Sequence, residues 1–225
     1  SFITVPKAYQ NELPAKVEME ARRTIPVDLS DVSLAWQIVG EKATAKDAKI
    51  IGAEKEGLFE ILLMALTKET IRKYESIAQK AELGISFIEV ESFALARSLT
   101  YNRKGVSFVL DMGSRVCNLL IVNENALILS RNFDLAGNNV SDAIARSLGI
   151  DWARAAVMKK KVGLADEQVA KVVIPVLDRI LKEAKVMMNS FANTNPDKTI
   201  ERLILSGGTV KLKGLKEYLE GKLEL

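Results

Sequence analysis

Hydrophobic and polar residues alternate in the opening segment Phe2–Pro6 and again along Val32–Ile38. This period of two predicts half-buried β-strands, and the apolar run Leu58–Thr67 predicts a further, buried strand. Between the first two strands, apolar residues at helical spacing predict a helix that begins near Asn11–Pro14 and ends at Thr24.

A second helix is predicted at 68–83, with Gly84 ending it. The residues that share its apolar face are Ile71, Tyr74, Ile77, Ala78 and Ala81. The polar stretch Gly40–Gly57 predicts a long hairpin loop. The order strand, helix, strand, strand, helix therefore predicts a small α+β unit in the first part of the chain.

From Glu89 onward the pattern changes to strands separated by helices, which predicts a mixed α/β fold. Strands are predicted in "GVSFVLDMG", "CNLLIVNENALILSRNF" and "RLILSGG". Helices are predicted in "EVESFALARSL", "NNVSDAIARSLG" and "DWARAAVMKKKVG", and a longer helix after Pro175. The long helix carries a continuous apolar stripe that predicts core packing: Val176, Leu177, Ile180, Leu181, Ala184, Met187, Met188 and Phe191.

Composition narrows the possible functions. The chain has 225 residues, is 48% hydrophobic and carries a net charge of +3, so nothing indicates a nucleic-acid partner. It contains no histidine, which excludes Ser-His-Asp and Cys-His catalysis. The single cysteine, Cys117, excludes an internal disulfide and a zinc cluster. Apolar runs such as Ile61–Leu66 are far shorter than the roughly 20 residues that span a bilayer, which predicts no direct membrane insertion.

The chain begins "SFITVP" without methionine, and we interpret it as a piece of a longer protein. Residues upstream of Ser1 would then contribute a first strand and part of a site.

Three glycine turns, each at the end of a predicted strand, carry the candidate chemistry. They are "DMGS" (111–114), "LAGNNVSDAI" (135–144) and "LSGGTVKLKGLKEYL" (205–219). Glycine lets backbone N–H groups approach a phosphate, and a helix N-terminus favours an anion. The Asp111 carboxylate could hold Mg²⁺ through water. The alternative for each turn alone is that its glycine serves only the turn.

The lysine run Lys159, Lys160 and Lys161 has a simpler interpretation. Runs of like charge usually face water, so we interpret it as a solvated helix end rather than a binding patch.

The order of the three turns resembles the actin-like ATPase superfamily. Asp111-Met112-Gly113 looks like its second phosphate loop, Ser206-Gly207-Gly208 like its adenosine loop, and "VESFALARSL" like its first connecting helix. The phrases "EARRTIP", "ESFALAR" and "FDLAGNNVSDAIARSLGI" are most similar to the PilM family of type IV pilus assembly. The resemblance implies ATP and Mg²⁺ as ligands, Mg²⁺ being held by Asp111 through water. The residues implied to bind nucleotide are Asp111, Gly113, Ser114, Arg115, Gly137, Asn138, Glu183, Lys185, Gly207 and Gly208.

The resemblance also implies a domain plan for an incomplete actin-like fold, mixed α/β in class. Residues 1–87 would be the small inserted α+β subdomain of the FtsA/PilM branch, and 88–104 the connecting helix of the first large domain. Residues 105–149 with 200–225 would form the large subdomain of the second domain, and 150–199 its small helical subdomain. The first phosphate loop is expected before Ser1, so this chain alone is expected to bind ATP weakly or not at all.

Several positions depart from the superfamily pattern. Val116, Cys117 and Asn118 stand where relatives usually have Thr, Thr and Asp, and Asn138 stands where they have Glu. Thr209 and Val210 replace small residues of the adenosine loop and would crowd a nucleoside. The loss of hydroxyls and carboxylates predicts a cleft that keeps ATP as a structural ligand, with poor or no hydrolysis.

The PilM resemblance implies a cytoplasmic scaffold at the inner face of the membrane. It would bind the tail of a PilN-like inner-membrane protein and link it to the pilus motor ATPases. The residues expected at the partner site are Glu20, Arg23, Val32, Leu34 and Trp36, the alternative being that they pack their own subdomain's core. An FtsA-like division protein, a small-molecule kinase of the superfamily, and a domain with a vestigial cleft are the remaining alternatives.

Overall fold

The computed structural model of the chain describes residues 2–42 and 57–223. It forms two compact units, the first ending at Ile88 and the second beginning at Glu89. Most of the predicted loop at Gly40–Gly57 lies outside the described residues. Gly40 itself belongs to a strand, so the loop begins later than the sequence predicted.

The first unit contains a three-stranded antiparallel sheet in the order β1-β3-β2. Its strands are β1 (Phe2–Pro6), β2 (Val32–Lys42) and β3 (Leu58–Thr67). Ile3 lies opposite Ile61, and Trp36 lies opposite Leu63. The predicted strands are therefore confirmed, and β1 and β2 form the two edges of the sheet.

Helix α1 (Leu13–Thr24) follows a 3-10 turn at Lys7–Glu12. Pro14 lies in its first turn, where a missing backbone N–H leaves no helical bond unmade. Leu13, Val17 and Ala21, spaced four residues apart, form its buried stripe. This stripe packs against Ile3, Val5, Phe59, Ile61 and Leu63 of the sheet.

Helix α2 (Lys68–Lys80) has Thr67 as its N-cap, and the Thr67 hydroxyl accepts from the Thr70 N–H at 3.2 Å. Gly84 does not end it. The left-handed residue after the helix is Glu82, at φ 57°. The predicted apolar face is not buried within the first unit, since Tyr74 is 56% exposed and Ile77 is 54% exposed.

The second unit contains a four-stranded sheet in the order β6-β5-β4-β7. Its strands are β4 (Val106–Met112), β5 (Cys117–Asn123), β6 (Ala126–Phe133) and β7 (Ile200–Ser206). Strands β4 and β7 run parallel, and the other pairs are antiparallel. The mixed α/β class predicted from the sequence is confirmed.

Alternation along β4 and β5 gives this sheet two buried faces. Phe108, Leu110 and Leu119 belong to the larger core, on one face. Val109 and Leu120 belong to a smaller core on the other face, covered by helix α3 (Glu91–Thr100). Because both faces are covered, these strands read as continuous apolar runs.

The remaining helices pack on the larger core. They are α4 (Gly137–Leu148), α5 (Trp152–Lys161), α6 (Glu167–Thr194) and α7 (Leu215–Leu223). Among the described helices, none combines the length and the hydropathy needed to cross a bilayer.

The sequence predicted that the long helix starts after Pro175, and this prediction is wrong. It begins at Glu167, where the Asp166 carboxylate accepts from the Val169 N–H at 3.0 Å. Proline inside a helix removes a hydrogen bond and strains the preceding turn. Here burial of Val169, Val173 and Leu177 along one stripe offsets that cost.

The finer division of the second unit into subdomains stays a prediction.

Replacing Ile61 with alanine should destabilise the first unit by about 2–5 kcal/mol, because its side chain is fully buried beneath α1. Ile38→Ala should cost clearly less than Ile61→Ala, because 40% of the Ile38 side chain is already exposed to water. The chain has two tryptophans, so a Trp152→Phe background leaves Trp36 as a fluorescence reporter for the first unit during urea unfolding. Equal destabilisation by both substitutions would contradict the assigned core.

Candidate functional site

The first glycine turn closes directly after β4. The Gly113 N–H donates to the Val116 carbonyl at 3.1 Å, which folds the chain back into β5. A Cβ on residue 113 would lie 2.8 Å from that same oxygen, closer than real Cβ atoms come. The turn therefore needs glycine for its own geometry.

The second and third turns meet the first at one carbonyl oxygen. The Gly113 carbonyl accepts from the Gly137 N–H at 3.0 Å and from the Thr209 hydroxyl at 2.8 Å. The Asn138 N–H donates to the Ser114 carbonyl at 2.7 Å. We call residues 113–116, 136–138 and 207–209 the turn cluster. The structure thus brings together three segments that are far apart in the sequence.

Gly207 is held against the first turn by close backbone contact. Its φ is +87°, and a Cβ there would lie 2.4 Å from the Met112 carbonyl oxygen. Gly208, one residue later, would have no atom within 4 Å of an added Cβ. Packing between the turns therefore explains why residue 207 is glycine, but it does not explain the glycine at residue 208.

The contacts in the turn cluster use backbone donors that a phosphate loop would offer to a ligand. The N–H groups of Gly113, Gly137 and Asn138 all donate to carbonyl oxygens of the chain. A phosphate cradled by these amides would have to displace those bonds. The turn cluster is therefore held together by hydrogen bonds within the chain.

A cavity of about 350 Å³ opens beside the turn cluster. It is lined by Ser114, Lys159, Lys160, Gly208, Thr209, Lys211 and Leu212. Its volume falls at the lower end of the range for small-molecule sites. Ser114 and Gly208 are the residues of the predicted nucleotide set that line it.

Lys159 is a site residue that the sequence interpretation missed. Its ammonium donates to the Gly137 carbonyl at 2.7 Å, and the side chain is partly buried. Burial lowers the pKa of Lys159, Lys160 lowers it further, and Asp142 opposes both effects. Ala155 is fully buried one turn earlier on α5, so helical spacing already placed residue 159 on the inner face.

Asp111 and Asn118 form a polar pair on the α3 side of the sheet. The Asn118 amide donates to the Asp111 carboxylate at 3.2 Å and to the Glu91 carboxylate at 3.3 Å. One neutral amide thus separates two carboxylates. Within the described ranges, no group of three or more His, Cys, Asp or Glu residues is arranged to hold a metal ion. The role of Asp111 toward Mg²⁺ stays a prediction.

Cys117 points to the opposite face, into the larger core, and is fully buried. Burial, with Asp111 as a smaller cause, raises the pKa of Cys117 to about 12. The thiol is therefore protonated at neutral pH and inert toward electrophiles.

The structure does not bring Glu183 to the cavity lining. Its carboxylate pairs with the Arg131 guanidinium of β6 at 2.9 Å, at the sheet edge opposite β7. Lys185 on the same helix is exposed, and Arg115 is exposed in the first turn. The cavity cations Lys159 and Lys160 come from α5 instead.

The first unit has a groove between β1 and α1, with a volume of about 180 Å³. It is lined by Thr4, Val5, Pro6, Tyr9, Lys16, Met19, Glu20 and Arg23. Glu20 and Arg23 were predicted at the partner site, and they form an ion pair at 3.0 Å.

Val32, Leu34 and Trp36 were also predicted to contact a partner. Leu34 and Trp36 pack against the core of the first unit, and Val32 is buried. This placement favours the core-packing alternative for these side chains. The β2 backbone nevertheless forms an edge of the sheet.

Comparison with known proteins identifies the family of the chain. A family model described as "Type IV pilus assembly protein PilM" matches residues 3–225. The chain belongs to this family. The match favours the PilM alternative over the FtsA-like one.

Solved structures support the same fold. A chain of a PilM–PilN type IV pilus biogenesis complex is 25% identical, with a TM-score of 0.78. The alignment covers 100% of this chain and 63% of that chain, so the sequence spans less than two thirds of the related protein.

Two more distant structures extend the likeness in fold alone. MreB5 of Spiroplasma citri bound to AMPPNP is 16% identical with a TM-score of 0.58, covering 71% of this chain and 59% of that chain. The ethanolamine utilization protein EutJ from Carboxydothermus hydrogenoformans is 24% identical with a TM-score of 0.53, covering 66% and 52%. The PilM-family chain therefore has part of an actin-like fold.

Substituting alanine at the two adjacent glycines of the third turn should give opposite results. Gly207→Ala should lower the free energy of unfolding by at least about 2 kcal/mol, because a left-handed φ and backbone overlap act together. Gly208→Ala, with open space around its Cβ, should change it by no more than about 0.5 kcal/mol. Thermal unfolding measures both. A destabilised Gly208→Ala beside a stable Gly207→Ala would refute the described packing of the turn cluster.

Proposed function

We propose that this chain is part of a cytoplasmic PilM-type scaffold that captures the tail of a PilN-like inner-membrane protein. The supporting observation is the family match over residues 3–225, together with the likeness of the whole chain to the PilM of a PilM–PilN complex. The scaffold would sit at the inner face of the membrane and link its partner to the pilus motor ATPases.

The groove between β1 and α1 is our candidate for tail docking. Strand β1 pairs with β3 along one edge, and no other described strand pairs with it. An extended peptide can add to such an edge, with main-chain hydrogen bonds supplying affinity and side-chain pockets supplying specificity.

The side chains of the groove suit a peptide with apolar residues. Tyr9 is 36% exposed and Met19 is 43% exposed, so both offer apolar surface to a ligand. The Lys16 ammonium lies 4.1 Å from the centre of the Tyr9 ring, which orders that ring. Glu20 and Arg23, which form an ion pair, also line the groove.

Charge reversal in this groove should weaken capture of the partner's tail without unfolding the protein. Arg23→Glu breaks the pair with Glu20 and places two carboxylates in the groove lining. We expect a five- to tenfold loss of affinity for a fluorescent tail peptide, about 1–1.4 kcal/mol. Fluorescence anisotropy with the complete protein measures it.

Arg22→Glu is the matched control, because Arg22 is adjacent on α1, equally charged, and pairs with Glu18 away from the groove lining. It should leave peptide affinity unchanged within about twofold, as expected for an exposed ion pair. Equal losses in both variants would place the tail elsewhere.

We further propose that ATP is a structural ligand of the complete protein. The likeness in fold to nucleotide-bound MreB5 supports an actin-like cleft. The meeting of the three glycine turns in one cluster, in the order that resembles the superfamily's nucleotide loops, is the further support.

Poor hydrolysis is supported by two asparagines, Asn118 on β5 and Asn138 in the turn cluster. Phosphoryl transfer to water needs an oriented nucleophile and neutralised phosphate charge. Asn118 is occupied by the carboxylates of Asp111 and Glu91, and Asn138 is a neutral residue at the start of α4. Loss of one well-placed polar group costs about 10²–10³ in rate.

The complete protein should therefore turn over ATP more slowly than about once a minute, whereas typical enzymes reach about 1–10³ s⁻¹. Phosphate release followed over hours measures this rate. Asn118→Asp with Asn138→Glu, which restores the carboxylates found in relatives, is the constructive comparison and should hydrolyse faster. A wild-type rate above one per minute would contradict the proposal.

A further inference from the structure

One residue of the groove between β1 and α1 carries the most accessible sulfur atom of the chain. The chain has six methionines and one cysteine, and the structure describes all of them. Met112, Met187 and Cys117 are buried in the larger core. Met19 is 43% exposed, whereas the remaining methionines are partly buried. An oxidant dissolved in water therefore reaches Met19 more readily than the other sulfur atoms.

The position of Met19 on α1 places its side chain in the groove lining. Lys16, Met19 and Arg23 all line the groove, and they follow one another at about one helical turn. Val17 and Ala21, which belong to the buried stripe, face the sheet instead. Met19 thus has a cation one turn before it and another one turn after it, and its thioether is apolar surface that a peptide can cover.

Oxidation would change this surface in a defined way. Hydrogen peroxide transfers one oxygen atom to the methionine sulfur, which is oxidised to the sulfoxide. The S–O bond forms as the O–O bond of the peroxide breaks, and the other, reduced oxygen leaves as water.

The sulfoxide oxygen would find donors on both sides. Lys16 and Arg23 are hydrogen-bond donors only, and a sulfoxide is polar. The Lys16 ammonium now lies 4.1 Å from the centre of the Tyr9 ring. A hydrogen bond from Lys16 to the new oxygen would compete with that contact, and so a polar pair would replace apolar surface in the groove.

We propose that Met19 is an oxidation site through which a peroxide weakens docking of the partner's tail. A peptide that covers the sulfoxide must bury a polar group and displace its hydrogen bonds, which is unfavourable. This inference rests on the proposed function, because the groove is the candidate site for the tail. It adds to that function a modification of the site and the effect of the modification on affinity.

The test treats the complete protein with hydrogen peroxide, removes the peroxide, and then measures binding of the fluorescent tail peptide by anisotropy. Mass spectrometry of proteolytic fragments locates the added oxygen. We expect the sulfoxide to form at Met19 before it forms at the other methionines of the chain. At full conversion the peptide affinity should fall about tenfold, as expected for burial of an incompletely bonded polar group. Methionine sulfoxide reductases should restore it, because this oxidation is reversible.

Variants assign the effect to residue 19. Met19→Leu keeps an apolar side chain and removes the sulfur, so its peptide affinity should be the same before and after peroxide. Met188→Leu is the matched control, because Met188 is a partly buried methionine of α6 outside the groove lining. This control should lose affinity on peroxide treatment as the wild type does. An unchanged melting temperature of the treated wild type would support an effect on the groove and not on folding.

Three results would overturn the inference. They are faster oxidation of another methionine of the chain, an unchanged peptide affinity after full conversion of Met19, and an equal loss of affinity in peroxide-treated Met19→Leu. Failure of the untreated protein to bind the tail peptide has a different meaning. It would contradict the tail-docking proposal itself, and the inference with it.

Discussion

The carbonyl oxygen of Gly113 is the point on which the candidate site depends. It accepts from the Gly137 amide and from the Thr209 hydroxyl, so one atom ties together the ends of β4 and β7 and the start of α4. Each partner must come close, and a Cβ on residue 137 would lie 2.3 Å from the Thr209 hydroxyl oxygen. The glycines at 113, 137 and 207 therefore serve the packing of the chain, whatever ligand the cleft also holds.

The effect of each departure from the superfamily pattern depends on which face of the second sheet the residue lies on. Residues 117 and 118 are adjacent in sequence, yet alternation sends Cys117 into the larger core and Asn118 to the α3 side. Cys117, which stands where relatives usually have threonine, adds an apolar side chain to the core, and the candidate site loses no group by this change. Replacement of a carboxylate at 118 changes the site, because the amide can donate to Asp111 and Glu91 where a carboxylate would repel both.

Local patterns were sufficient for much of the fold. Period-two alternation identified β1 and β2, continuous apolar runs identified buried strands such as β3, and the buried stripe of α1 followed from the spacing of Leu13, Val17 and Ala21. The prediction at Pro175 was wrong because the tendency of proline to interrupt a helix was outweighed by the buried residues on both sides of it. Of the site, the glycine turns could be recognised, and helical spacing from Ala155 indicates the inner face of α5 for Lys159. The contact of Lys159 with the Gly137 carbonyl and the pairing of Glu183 with Arg131 depend on where each helix meets the sheet. That is tertiary information, absent from any single segment.

Magnitudes indicate whether the ligand or the chain holds the turn cluster together. A ligand present at a concentration equal to its dissociation constant stabilises the folded state by about 0.4 kcal/mol. Each hydrogen bond within the cluster contributes roughly 1 kcal/mol, and the Gly113 and Ser114 carbonyls accept from Gly137, Thr209 and Asn138. A ligand at that concentration thus adds less than the chain's own contacts supply. The turn cluster therefore keeps its geometry through hydrogen bonds within the chain.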